Sequence, residues 1–217
     1  MKKYANVFNY IPFIIILLLV ILSLIYKDLI LQILLTYEIT SIKNLLIYAL
    51  LVLVYFLTPL PITPIILLTG FLLKNNGFYL SYFLIFVSST FLFTFSKLIN
   101  NSFNFEKKIK LLSNNFKLIK YSQNNYFIFF SRYLIPYFFH NVFYGLINIK
   151  YIKFIIIILL AEIPLTFAIN SIGISLNTYS KDQAITIYSL IMDENFYIPI
   201  IIISIVFFIG KIIKKKL

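Results

Sequence analysis

The chain has 217 residues, 61% of them apolar and only 12% charged, and its mean hydropathy is +0.96. Soluble domains carry about 45–50% apolar and about 25% charged residues, and disordered chains combine low hydropathy with high charge, so both classes are excluded. What remains is an all-α polytopic membrane protein. The net charge of +12 comes from 19 basic against 7 acidic residues. The basic residues lie between apolar runs and not on one folded face, which points to membrane topology and away from nucleic acid. With no cysteine and one histidine, neither thiol chemistry nor a metal or other cofactor is expected.

In chain order, Val7–Tyr26 is a 20-residue apolar run, about 30 Å as a helix and long enough to span. No small-residue cleavage site follows it, so it reads as a retained helix. Lys27–Asn44 mixes apolar residues at helical spacing with Asp28, Gln32 and Glu38, the pattern of an interfacial helix or a polar connector. Leu45–Leu73 is apolar but broken by Pro59, Pro61 and Pro64. Proline removes a donor and disfavours helix at the residue before it, so non-helical backbone is expected there, tolerated at membrane depth only inside protein or beside a wet cavity. Gly70 and Gly77 close that segment around Lys74.

Phe78–Phe95 is a spanning candidate, and Lys97–Asn125 is a long polar loop with six lysines. Tyr126–Ile147 is apolar again but interrupted by Arg132, Pro136, His140, Asn141 and Gly145. Phe154–Ile169 spans, yet contains Glu162 and Pro164. Asn170–Asn195, with Gly173 near its start, is polar; Phe196–Ile209 is a final short helix before a lysine-rich tail. The organisation expected is residues 1–44 as an N-terminal spanning and interfacial pair, 45–175 as the core, and 176–217 as linker, helix and basic tail.

Lysines choose between topologies. If all six apolar runs cross, the 18 lysines divide equally between the two sides. If Leu45–Leu73 and Tyr126–Ile147 instead dip in and return on one side, only Lys27, Lys43, Lys74 and Lys181 face outward and the other 14 face inward. The positive-inside bias selects the second arrangement: about four spanning helices plus two opposed re-entrant hairpins in an inverted repeat, a transporter-like layout, with both termini cytoplasmic.

Two residues are costly at membrane depth. Arg132 is the only arginine, and an arginine at the bilayer centre costs roughly 2.5–3.5 kcal/mol on insertion scales. Lysine would serve for snorkelling as well, whereas the planar, always-charged guanidinium suits phosphate or carboxylate. Glu162, eight residues into its apolar run, must pair, protonate or face water; Arg132 is the partner expected. Asn141 is a candidate substrate contact, though an asparagine there more often caps broken backbone, and a lone histidine such as His140 is usually a satisfied core residue. Ser131-Arg132 with His140 lacks the companion elements of membrane lipid phosphatases, and no hydrolase, zinc-protease or P-loop motif occurs, so no enzyme is expected.

Pro59-Leu60-Pro61-Ile62-Thr63 followed by Gly70 and Gly77 resembles the first hairpin of the DedA superfamily, also called VTT-domain or SNARE-associated Golgi proteins. Arg132, Pro136, Asn141 and Gly145, then Phe154, Pro164 and Gly173, resemble its second hairpin and following helix. The resemblance covers about residues 59–173 and is closest to the branch lacking acids in the first hairpin. It implies opposed re-entrant hairpins and translocation of undecaprenyl phosphate or phospholipid as flippase or scramblase, with membrane lipids as partners; the small size and composition favour a bacterial inner membrane. Thr63 stands where many bacterial members carry an acid, and Glu162 where relatives have a small residue. The alternatives are a small-solute or proton-coupled permease using Arg132 and Glu162, and a non-transporting envelope-integrity factor. Homo-oligomerisation stays open.

Overall fold

The computed structural model describes residues 41–103, 123–147 and 149–179, with isolated positions between 194 and 205. The expected helices at Val7–Tyr26 and Phe196–Ile209, the interfacial segment before Ser41, most of the Lys97–Asn125 loop and the basic tail therefore lie outside the described residues, apart from those isolated positions.

Six helices occur among the described residues, and no strand. They are α1 (Ile42–Phe56), α2 (Thr63–Leu73), α3 (Asn75–Phe103), α4 (Asn125–Ser131), α5 (Tyr137–Leu146) and α6 (Tyr151–Tyr179). Ser41 starts α1 by accepting a hydrogen bond from the Asn44 amide at 3.2 Å, so residues expected to end the connector belong to the helix. The chain then breaks at 57–62, where Pro59 and Pro61 stand. Pro64 does not break anything: it lies in the first turn of α2, where proline's missing N–H is harmless. Pro136 ends the second break and opens α5.

The order short helix, proline break, short helix, long helix thus occurs twice. Pro61 and Pro136 are 75 residues apart, as are Gly70 and Gly145. Both long helices, α3 and α6, have 29 residues, and each holds a stretch apolar and long enough to cross a membrane. Both outrun their hydropathy windows. α3 continues past Lys97 to Phe103, and α6 continues through Pro164 and past Ile169 to Tyr179. The extra residues Asn100, Asn170, Ser171 and Ser175 are all buried: polar groups facing a neighbouring helix do not end a helix. Pro164 costs α6 one backbone donor but not its continuity.

The described chain forms two compact units. One contains α1 with the break to Pro61, α3 from Ile85, α4, α5 and α6 up to Leu160. Its core is aromatic: Phe93, Tyr144 and Phe154 pack with Ile128, Ile147 and Ile158, and the Phe93 and Phe154 rings stack at 4.8 Å. The other contains α2, α3 up to Leu84, and α6 from Ala161. It is closed by glycine. A Cβ on Gly173 would collide with the Leu67 carbonyl, one on Gly70 with the Asn170 carbonyl, and one on Gly77 would sit 2.5 Å from the Thr69 carbonyl. Small residues allowing such backbone approach are the usual interface of membrane helices. Gly70, Gly77, Gly145 and Gly173, expected as breaks, are thus helical contact points, none with positive φ. Among the described residues, the only one in that backbone region is Lys74 at φ 54°, in the turn between α2 and α3.

Polar side chains are buried beside the apolar core while large apolar ones are exposed. On α3, Ser81, Ser88, Ser89, Ser96 and Asn100 are inside, while Tyr79, Phe83, Phe91 and Leu98 are outside. On α6, Glu162, Thr166, Asn170 and Ser175 are inside, while Ile152, Ile156, Leu160, Ile163 and Phe167 form an exposed stripe. Soluble monomers rarely show apolar faces of this extent.

Candidate functional site

The site centres on the α4–α5 hairpin. α4 has 7 residues and α5 has 10, about 10 and 15 Å of helix; neither can span a hydrocarbon core of about 30 Å. Asn124 caps α4 by accepting from the Tyr126 amide at 2.9 Å. The turn is closed by the amides of Leu134 and Ile135 donating to the Ser131 carbonyl at 3.1 and 2.8 Å. Pro136, with ψ 143°, leads into α5.

A buried polar knot ties the two arms. Ser131 Oγ lies 3.0 Å from His140 Nε2 and 3.0 Å from the Tyr144 hydroxyl, and donates to the Ile128 carbonyl at 3.1 Å. His140 Nε2 is also 3.3 Å from that carbonyl. A carbonyl can only accept, so Nε2 carries the hydrogen and Nδ1 is a bare acceptor; Nδ1 is buried with no hydrogen-bond partner. Ser131 Oγ thus links the backbone of α4 to His140 and Tyr144 on α5. It braces the two arms of the hairpin.

Arg132 directly follows this knot and is 5% exposed. Its Cζ lies 5.2 Å from the centre of the Tyr137 ring, within the range of a cation–π contact, which gains strength when desolvated. Tyr137 is itself anchored on α3. Its hydroxyl is 2.5 Å from Ser88 Oγ, 2.9 Å from Ser89 Oγ and donates to the Ile85 carbonyl at 3.0 Å. The Phe56 ring packs against it at 6.2 Å. The guanidinium therefore rests on a ring whose far end is fixed by three groups. A buried, oriented fork of this kind is chemically suited to an anionic oxygen ligand.

Asn141, Glu162 and Thr63 are placed as follows. Asn141 is fully buried on α5; its amide nitrogen donates to the Tyr137 carbonyl at 2.7 Å, within its own helix, and its Oδ1 has no hydrogen-bond partner. It does not cap the break. Glu162 is fully buried on α6 in the glycine-closed unit, within electrostatic reach of Tyr82. Thr63 is the exposed first residue of α2. Among the described residues no group of His, Cys, Asp or Glu could hold a metal ion.

Sequence reasoning missed Tyr137, Ser88 and Ser89. In a chain with 17 tyrosines and 24 phenylalanines one more aromatic carries little signal. The readable clue was the run of serines at 81, 88, 89 and 96 on one apolar helix, spaced to share a face. Comparisons of the chain with family models, curated proteins and solved structures gave no match.

Proposed function

We propose that this protein is a multi-pass carrier of the bacterial inner membrane that moves a lipid or lipid-phosphate head group, of the DedA type its proline, arginine and glycine pattern resembles. The supporting observation is the buried guanidinium of Arg132 at the bend of a helical hairpin too short to cross a bilayer. In this reading the two proline-broken segments enter from opposite faces, Arg132 holds the phosphate, and the acyl tails stay in lipid outside. The exposed apolar stripes of α3 and α6 face the acyl chains. The cargo is undecaprenyl phosphate or a phospholipid, and both termini are cytoplasmic.

The test is head-group translocation in liposomes containing the full chain, with Arg132→Ala and Arg132→Lys. Loss in the alanine variant and at least a tenfold loss in the lysine variant are expected, because lysine supplies charge without the planar fork. Wild-type rates in both reject Arg132 as the head-group site. Topology is checked by single cysteines at Asn75, Asn114 and Asn177, expected outside, inside and outside; an external Asn114 rejects the re-entrant arrangement.

A further inference from the structure

Hydroxyl side chains in apolar helices normally satisfy themselves by bonding back to a carbonyl one turn earlier. This chain follows the rule repeatedly: Thr69 donates to Ile65 at 2.7 Å, Ser96 to Leu92 at 2.7 Å, Ser175 to Ser171 at 3.3 Å and Thr178 to Ile174 at 3.2 Å. Ser81 and Thr166 break it. Both are 0% exposed, and the side-chain oxygens of both lack any hydrogen-bond partner. An unsatisfied buried hydroxyl costs about 1–3 kcal/mol, so two exceptions in one place require a reason.

They are in one place. In the glycine-closed unit α3 and α6 run antiparallel: a Cβ on Gly77 would lie 2.7 Å from Asn170 Oδ1, and Phe78 meets Phe167 edge to face. One turn further along α3 from Gly77, and one turn back along α6 from Asn170, the same register sets Ser81 opposite Thr166. Glu162, Thr166 and Asn170 follow at four-residue steps on the inner face of α6, all buried. Asn170 Oδ1 is a third oxygen without a hydrogen-bond partner. Its amide nitrogen, by contrast, donates to the Lys74 carbonyl at 3.3 Å, so the vacancy is on the acceptor side.

We propose that Glu162, Thr166 and Ser81 form a binding site for a sodium-sized monovalent cation, with Asn170 Oδ1 the next oxygen along the same lane. The ligands are all hard oxygens, the donor type of alkali and alkaline-earth ions. The donor set includes a single carboxylate, fewer than calcium sites assemble. A carboxylate has two oxygens and about four lone-pair sites, so Glu162 serves the ion while keeping its other contacts. A proton would occupy one oxygen and leave the remaining acceptors as they are. The site goes beyond the carrier reading: ion binding is measured without any translocation, so either idea can fail alone.

The test uses the full chain in detergent, with thermal unfolding followed in sodium chloride and in choline chloride at equal ionic strength and fixed pH. Sodium is expected to raise the wild-type midpoint by about 4 °C or more, a size set by ligand linkage in a chain of this length. Glu162→Gln should abolish the rise, and the Ser81→Ala/Thr166→Val pair should reduce it at least by half. The midpoints in choline show that each variant is folded. Absence of a sodium effect in the wild type overturns the site, as does an effect that survives Glu162→Gln. Stabilisation by acid alone, indifferent to sodium, also overturns it and assigns the carboxylate to a proton.

Discussion

The two compact units differ in how their helices are held together. In the unit that holds Arg132, hydroxyls are cross-linked: Tyr137 to Ser88 and Ser89, Ser131 to His140 and Tyr144, Thr90 to Tyr151 at 2.9 Å. Side chains there are large, and stacked aromatic rings fill the core. In the glycine-closed unit the helices meet backbone to backbone, and the oxygens of Ser81, Thr166 and Asn170 have no hydrogen-bond partner. The first unit fixes one cation in a set orientation. The second brings acceptors close together without satisfying them. Cross-linking of hydroxyls thus dominates in one unit and close backbone approach in the other, although His140 Nδ1 and Asn141 Oδ1 in the first unit also lack hydrogen-bond partners.

The strongest way to break this contrast is to add a single methyl to the glycine-closed unit. Gly173→Ala places a Cβ against the Leu67 carbonyl and 2.8 Å from the Phe71 nitrogen, both backbone atoms that cannot rotate away. Overpacking of this kind costs about 1–3 kcal/mol and occasionally more, and chemical unfolding in detergent should show a loss at the upper end. In the cross-linked unit the matching change is Ser131→Ala, which strips the shared partner from His140 and Tyr144. A loss of about 2 kcal/mol is expected, since two buried polar groups lose that bond. Tyr137→Phe should cost about 1 kcal/mol in the same measurement while lowering head-group translocation more than stability explains, because the ring beneath Arg132 loses its anchors. A rate that falls only in proportion to folded protein would show that Tyr137 does not position the arginine. Smallest and opposite in sign is Lys74→Gly. With φ at 54° the lysine occupies a backbone region favourable to glycine, and the change should stabilise the chain by roughly 1 kcal/mol.

The breaks were legible because proline acts locally. Pro59, Pro61 and Pro136 stand in or at the edge of the two breaks, where their rings disfavour helix at the residue before each. Pro164 escaped the same reasoning because it sits in a long helix whose neighbouring turns persist on both sides. The ends of α3 and α6 were illegible for a different reason. Hydropathy scores a residue against its surroundings as if they were lipid, and Asn100, Asn170 and Ser175 face protein. Glycine was misread most consistently. Its freedom of φ can be expected from sequence, but a close approach depends on a partner far along the chain, such as Leu67 for Gly173. Arg132 was visible as the lone arginine; the tyrosine beneath it was lost among its many equals.

The glycine contacts also fix an order of events during synthesis. Gly145 on α5 packs against Phe93 and Ser96 on α3, which the ribosome has already made. Gly70 on α2 packs against Asn170 on α6, which lies a hundred residues ahead. At roughly 5–20 residues per second, α2 is exported from the ribosome roughly 5–20 s before its seat exists. The later hairpin meets a partner already made; the earlier one waits for α6 before its glycine contact can close.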